Sequence, residues 1–87
     1  MPNARHPRWR IDSDELVTQI TPGNFQQGLL LLNAIGYLAE KHQHHPVLTL
    51  GYNRLEIRLT THDANALTIK DDHLAREIDR LLAEPQN

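Results

Sequence analysis

Hydrophobic and polar residues follow two periods along this chain, one of two residues and one of about 3.6 residues. The shorter period, together with short runs of β-branched and aromatic residues, predicts strands in four places. The predicted strands are Trp9–Ile11, Glu15–Ile20, Val47–Tyr52 and Leu55–Thr60. Residues 12–14 and Asn53-Arg54 have turn-like composition, so each pair of strands is expected to form a β-hairpin.

The longer period first occurs from Phe25 to about His42 and predicts a long helix. Asn24 is its expected N-cap, because Gln27 three residues later suits a capping box. The four leucines at residues 29–32 surround the whole circumference of this helix. Two interpretations stay open: a central helix wrapped by its own domain, or a helix with one face on the sheet and another against a partner subunit, which we favour.

A second helix is predicted near the end of the chain. Thr68 is its expected N-cap, and Asp71 stands three residues later, where the helix dipole favours a carboxylate. Its apolar residues at helical spacing are Leu74, Ala75, Ile78, Leu81 and Leu82. Pro85 is expected to end it. The element order ββαββα predicts an α+β fold, a two-layer sandwich in which a four-stranded antiparallel sheet carries both helices on one face.

Length and composition narrow the function classes. A chain of 87 residues is expected to form a single domain, 1–87, with residues 1–8 as a loose lead-in. The absence of cysteine excludes disulfides, thiolate metal centres and a thiol nucleophile. A net charge of −2 argues against general nucleic-acid binding. No apolar run approaches the ~18–20 residues of a membrane span, so a cytoplasmic protein without a membrane partner is expected.

Histidine is the one anomaly of composition, with six residues in the chain. His44 and His45 follow the central helix just before Pro46, which keeps the residue ahead of it out of the helical region. His62 follows the last predicted strand. A hairpin about Asn53-Arg54 would place the start of its first strand beside the end of its second, so the three histidines are expected to converge on one rim of the sheet.

Three interpretations of this cluster compete. Histidines at a helix C-terminus interact favourably with its dipole, which needs no further function. Three imidazoles could hold zinc with an open position, but adjacent residues such as His44 and His45 rarely turn toward one ion, so no metal is predicted. Imidazole also titrates near neutrality, so the cluster suits a reaction that removes a proton at one atom and protonates a leaving hydroxyl at another.

The stretch from Glu40 through His44-His45-Pro46 is followed, after gaps of five, nine and eight residues, by Tyr52, His62 and Asp71. This spacing resembles the signature of the pterin-4a-carbinolamine dehydratases. The segments Thr60-Thr61-His62-Asp63 and Leu74-Ala75-x-x-Ile78-Asp79 are also similar to that family, and the resemblance covers about residues 9–82. It implies the same two-layer fold, and a homodimer or homotetramer.

Chemically, the resemblance implies dehydration of 4a-hydroxytetrahydrobiopterin to quinonoid dihydrobiopterin, without a metal or organic cofactor. It implies that His45 and His62 form the acid–base pair. His44 would orient the pterin and steady its hydroxyl.

The resemblance also implies supporting roles for four residues. Glu40 would hold the histidine cluster or the pterin ring in place, and Thr60 and Thr61 would border the pterin. For Asp71 two roles stay open, because it would either position a histidine or simply cap the last helix.

The chain departs from the usual family pattern at Gln43, Val47, Leu48 and Ala66, positions expected at the pocket wall and rim. A second function class therefore stays open. Dehydratase-like proteins also serve as non-catalytic partners, including a Rubisco assembly factor of α-carboxysomes, and a leucine-rich oligomer with altered pocket walls would suit such a role.

Overall fold

The computed structural model describes residues 8–83, which fold into one antiparallel sheet covered by two helices. The elements are β1 (Arg10–Asp12), β2 (Glu15–Ile20), α1 (Phe25–His42), β3 (Val47–Gly51), β4 (Arg54–Leu59) and α2 (Ile69–Ala83). The strand order in the sheet is β1-β2-β4-β3, and all neighbouring strands are antiparallel. The predicted α+β fold with a four-stranded sheet is therefore confirmed.

The core lies between the sheet and the helices. Alternate residues of β4, namely Leu55, Ile57 and Leu59, are fully buried. They pack in one cluster with residues of α1 and α2, including Ile35 and Ile78. Each such side chain contributes roughly 1.5–3 kcal/mol through burial. This core fixes the C-terminal end of α1 and the N-terminal end of α2 against the same end of the sheet.

The second hairpin turns one residue earlier than predicted. Gly51 pairs with Arg54, so the turn consists of Tyr52 and Asn53. The alternation predicts that Tyr52 shares the inner face of the β3 leucines. In the structure Tyr52 is 74% exposed and does not lie on that face. A contact distant in sequence explains the shift, because the backbone N–H of Gly23 donates to Oδ1 of Asn53 at 2.7 Å.

The first hairpin also differs from its prediction by one residue. Its turn consists of Ser13, which has a left-handed φ of 56°, and Asp14. Trp9 lies before the strand and is buried in the core, where its Nε1–H donates to Oδ1 of Asp79 at 2.8 Å. Arg8 donates to the same oxygen at 3.0 Å. The rest of the predicted lead-in lies outside the described residues.

Helix α1 has the predicted bounds and N-cap. The backbone N–H of Gln27 donates to Oδ1 of Asn24 at 2.8 Å. Leu31 packs against the core, whereas Leu30 is 56% exposed and Leu29 lies exposed beside it. The helix therefore has an uncovered apolar face, and its burial in a homo-oligomer stays a prediction.

Charged residues cover the sheet face opposite the helices. Arg58 donates to Oε1 of Glu15 at 2.7 Å and to Glu56 at 3.4 Å. The hydrogen bond from Gln19, supported by Arg58, lowers the pKa of Glu56, while the hydrogen bond to Glu15 raises the pKa of Arg58. This network joins β2 to β4.

Between residues 8 and 83, neither helix is long and apolar enough to cross a membrane. The predicted helix end at Pro85 lies outside the described residues.

Candidate active site

The C-terminal end of α1 directs two adjacent histidines to different partners. Gln43 adopts a left-handed conformation, with φ 51° and ψ 41°, and its N–H donates to the carbonyls of Ala39 and Glu40. The N–H of His44 then donates to the Ala39 carbonyl at 3.1 Å. The helix ends here, and the chain continues through His45 and Pro46 into β3.

His44 is held by a buried carboxylate. Its Nε2 lies 2.6 Å from Oδ1 of Asp71, and only 11% of its side chain is exposed. Oδ2 of Asp71 accepts from the hydroxyl of Thr61 at 2.7 Å and from the backbone N–H of Thr68 at 2.9 Å. The contact between His44 and Asp71 engages Nε2 and fixes the orientation of the ring. With Asp71 as a carboxylate, which only accepts hydrogen bonds, the proton of this contact would be on Nε2 and Nδ1 would be the free acceptor.

Asp71 thus performs both of the tasks that the sequence left open. Its bond to the Thr68 N–H is half of a capping box at the start of α2. Its other oxygen positions an imidazole of the site. One buried carboxylate therefore joins the cap of α2 to the orientation of His44.

His45 forms a second, exposed pair. Its Nε2 lies 2.5 Å from Oε2 of Glu40, one turn back on α1. The His45 side chain is 58% exposed. This imidazole is therefore accessible to solvent and to a ligand, in contrast to His44.

His62 lies in a tight loop after β4. Thr61 forms an isolated bridge with Ala66, and the N–H of Asn65 donates to the His62 carbonyl at 3.2 Å. Asn65 has a left-handed φ of 50°, a conformation that asparagine tolerates better than most residues. Among the contacts of residues 8–83, none engages the imidazole of His62, so both of its nitrogens are available.

The three histidines line one cavity of about 180 Å³, which we call the histidine cavity. Its lining is Gln43, His44, His45, Thr61, His62, Asp63 and Lys70. The predicted convergence on one rim is therefore what the structure shows, although Val47 pairs with Arg58 rather than lying beside Thr60. Two of the larger hollows, about 360 and 420 Å³, lie elsewhere and contain no histidine.

Two of the lining residues were not predicted from the sequence. Lys70 lies in the first turn of α2 beside Asp71, and Asp63 follows His62. The predicted start of α2 at Thr68 places Lys70 in the first turn of this helix, near the rim where the three histidines are expected to converge. The sequence could therefore have identified Lys70 as a residue of the cavity lining. Thr60 lies outside the lining, since its hydroxyl donates to the Asp14 carbonyl at 2.7 Å.

Of the four positions that depart from the family pattern, only Gln43 lines the histidine cavity. Leu48 packs against the core, and Ala66 pairs with Thr61. Val47 is 52% exposed on the other side of the His-His-Pro corner. None of these three residues lines the cavity, so the expectation that they form the pocket wall is wrong. Leu48 pairs with Ile57 on the core face of the sheet, Val47 pairs with Arg58 on the other face, and Ala66 is held in the loop after β4 by its pairing with Thr61.

In the part of the chain that the structure describes, no group of three or more His, Asp or Glu side chains is arranged to hold a metal ion. The absence of a bound metal stays a prediction.

Comparison with known proteins assigns the chain to a family. The model of the family described as pterin 4 alpha carbinolamine dehydratase matches residues 2–81. The chain belongs to this family. It is 38% identical over 79 residues to a Chloroflexus aurantiacus protein provisionally named pterin-4-alpha-carbinolamine dehydratase, covering 91% of this chain and 85% of that protein. A Natronomonas pharaonis protein with the same provisional name is 42% identical over 73 residues, covering 84% and 79%.

Solved structures show the same fold at lower identity. A transcriptional coactivator/pterin dehydratase from Brucella melitensis superposes with a TM-score of 0.85 at 24% identity, covering 92% of this chain and 87% of the other. A pterin dehydratase-like protein identified as a Rubisco assembly factor in the alpha-carboxysome has a TM-score of 0.71 at 22% identity, covering 90% of each chain. The same fold therefore occurs in a protein described as a pterin dehydratase and in one described as a Rubisco assembly factor.

Proposed function

We propose that the protein is a pterin-4a-carbinolamine dehydratase, a cytoplasmic hydro-lyase that uses histidines and needs no metal or organic cofactor. The observation that carries the proposal is the histidine cavity itself. It brings together His44, His45 and His62, one fixed by a buried carboxylate and two accessible from the cavity.

The proposed reaction requires two proton transfers and no redox step. In 4a-hydroxytetrahydrobiopterin, the hydroxyl on C4a receives a proton and leaves as water. The adjacent N5 loses its proton, and the electrons of the N5–H bond form the N5=C4a double bond of quinonoid dihydrobiopterin. One group must act as acid and another as base, and imidazole performs both tasks near neutral pH.

We assign these transfers to His45 and His62, because their imidazoles are the exposed ones on the cavity. His44 is better suited to orient the pterin and to steady the leaving hydroxyl. Its Nε2 is committed to Asp71, which holds the ring in one orientation. A fixed imidazole is suited to positioning the substrate, and an accessible imidazole is suited to exchanging protons with it. His44 is the fixed one of the three histidines, and His45 and His62 are the accessible ones.

The remaining candidate residues act mainly through these histidines. Glu40 would hold the His45 ring in place, because its carboxylate lies 2.5 Å from Nε2. The hydroxyl of Thr61 bonds to Asp71, so only its backbone is left to border the pterin. Thr60 lies outside the lining of the histidine cavity, so it would border only a part of the substrate that extends past His62.

Single substitutions test the proposal. His62→Ala and His45→Ala should each lower the rate of 4a-carbinolamine dehydration by about 10²–10⁴-fold, the usual contribution of a positioned acid or base. The carbinolamine is generated by an aromatic amino acid hydroxylase, and the quinonoid product is followed by absorbance. His73→Ala is the matched control, because His73 is exposed on α2 and outside the cavity lining. A wild-type rate no higher than the uncatalysed reaction would refute the proposal.

A second candidate is a non-catalytic, protein-binding role such as Rubisco assembly. The observation that favours it is the exposed apolar surface, which includes Leu30 on α1 and Val47 at 52% exposure beside the His-His-Pro corner. Under this alternative the purified protein would co-elute with Rubisco in gel filtration. Val47→Asp would abolish that co-elution, and His62→Ala would not.

A further inference from the structure

A second cavity adjoins the histidine cavity across His62. It has a volume of about 310 Å³, and we call it the turn cavity because the β1–β2 turn forms its wall. Its lining is Ser13, Asp14, Glu15, Thr60, His62 and Asn65. His62 is the residue that lines both cavities. A ligand that reacts at His62 therefore has two spaces beside it.

The wall of the turn cavity is held in place from two sides. The hydroxyl of Thr60 donates to the Asp14 carbonyl at 2.7 Å. Arg58 donates to Glu15 at 2.7 Å and to Asp12 at 3.4 Å. The β1–β2 turn is thus bound to Arg58 of β4 and to Thr60, the residue after β4. These contacts make the turn a preorganised surface rather than a free loop.

The charge of the turn cavity differs from that of the histidine cavity. Asp14 and Glu15 are acidic, and among the described residues no lysine or arginine lines this space. Glu15 is paired with Arg58, but no described residue pairs with the Asp14 carboxylate. The histidine cavity, by contrast, has Lys70 in its lining. The turn cavity therefore suits hydroxyl groups, which can donate to carboxylates, and repels anions.

The chemistry of the substrate determines which of its parts reaches the turn cavity. The side chain of a reduced pterin is attached at C6, and C6 is bonded to N5, the atom that loses its proton in the proposed reaction. The histidine cavity, at about 180 Å³, is smaller than the roughly 300–1,000 Å³ of typical ligand pockets. With His62 as the base of the proposed reaction, N5 lies beside the residue that lines both cavities, and the C6 side chain lies next to the turn cavity.

We propose that the turn cavity is the subsite for the C6 side chain, and that Asp14 selects pterins with a neutral, hydroxylated side chain over pterins with an anionic one. This inference rests on the proposed function. It assigns to the β1–β2 turn a specificity-determining role that is separate from the proton chemistry of the histidines.

Binding of three oxidised pterins that differ only at C6 tests the inference. The probes are biopterin, 6-methylpterin and pterin-6-carboxylate, titrated at low salt and followed by their fluorescence. The wild-type protein should bind biopterin more tightly than 6-methylpterin and pterin-6-carboxylate most weakly. Asp14→Asn should raise the affinity for pterin-6-carboxylate relative to 6-methylpterin by roughly threefold to tenfold, and Asp14→Lys should raise it further.

Glu77→Gln is the matched control, because it removes one negative charge from α2, outside both cavity linings. It should leave the ratio of the two affinities unchanged. Thermal melting checks that each Asp14 variant is folded. If folded Asp14→Asn and Asp14→Lys both keep the wild-type ratio while 6-methylpterin still binds, the subsite is refuted and the dehydratase proposal stands. If the wild-type protein binds none of the three pterins, the subsite is refuted, and the dehydration assay decides the dehydratase proposal separately.

Discussion

Replacing Asp71 with asparagine separates the charge of this buried side chain from its shape. In the wild-type protein Asp71 accepts hydrogen bonds from His44, from the Thr61 hydroxyl and from the Thr68 N–H. In Asp71→Asn the amide oxygen can keep the last two bonds, as Oδ2 does now. The amide nitrogen then faces Nε2 of His44, so one donor meets another.

The conflict can be relieved only if the His44 proton moves from Nε2 to Nδ1. Hydrogen bonds to charged groups contribute about 1.5–3 kcal/mol and neutral ones about 0.5–1.5 kcal/mol. The exchange should therefore lower the free energy of unfolding by about 1–2 kcal/mol. For a domain of this size that lowers Tm by about 4–16 °C, at roughly 4–8 °C per kcal/mol.

The assay combines thermal unfolding with the dehydration rate. Dehydration should fall in Asp71→Asn even at temperatures where the variant is fully folded, because Nδ1 of His44 then carries the proton and can no longer accept a hydrogen bond from substrate. Asp63→Asn is the stability control, since this exposed change should lie within about ±0.5 kcal/mol. An Asp71→Asn protein with wild-type Tm and wild-type turnover would refute the reasoning.

Three further predictions concern the fold. Gly28→Ala should be less stable than Gly36→Ala by about 1 kcal/mol or more in urea unfolding. The new β-carbon would meet a leucine side chain at 2.7 Å in Gly28→Ala and nothing within 4 Å in Gly36→Ala, and equal stabilities of the two variants would contradict this. The pKa of Glu56 is lowered from its usual value of 4.5, so this group stabilises the fold at pH values above 4.5 and the contribution is lost as pH falls through the folded-state pKa. The Tm difference between wild type and Glu56→Gln should therefore shrink as pH falls below 4.5, and a constant difference would count against it. Light scattering should give a dimer or tetramer of the 10.0 kDa chain, and Leu30→Glu should shift its mass downward. Ile69→Glu, at a more exposed position at the start of α2, should not shift the mass, and a wild-type monomer would exclude the oligomer.

The helices were predictable because their signals are local. Asn24 caps α1 through a residue only three positions away, and Thr68 and Asp71 do the same for α2. The hairpin turns were each misplaced by one residue, because their positions depend on distant contacts. The bond between Gly23 and Asn53, 30 residues apart, has no signature in the local composition.

The sequence predicts the convergence of the site histidines but not the partner of each one. A hairpin joins the two ends of its strands whatever its detailed register, so the convergence of His44, His45 and His62 follows from the element order alone. Their separate partners do not follow from it. The choice of Asp71 for one histidine and Glu40 for the next depends on the backbone conformation at the end of α1, which the sequence pattern does not specify.

The left-handed backbone of Gln43 makes the site sensitive to chain length at the His-His-Pro corner. Both imidazoles line the histidine cavity, but His44 is protected by its contact with buried Asp71 and His45 is accessible beside Glu40. Deleting one residue at this corner would exchange the surroundings of the two imidazoles even though both remain present. The spacing between the helix and the proline therefore carries information that the two histidines alone do not, and a family member with the same residues but a shifted spacing would have its protected and accessible imidazoles interchanged.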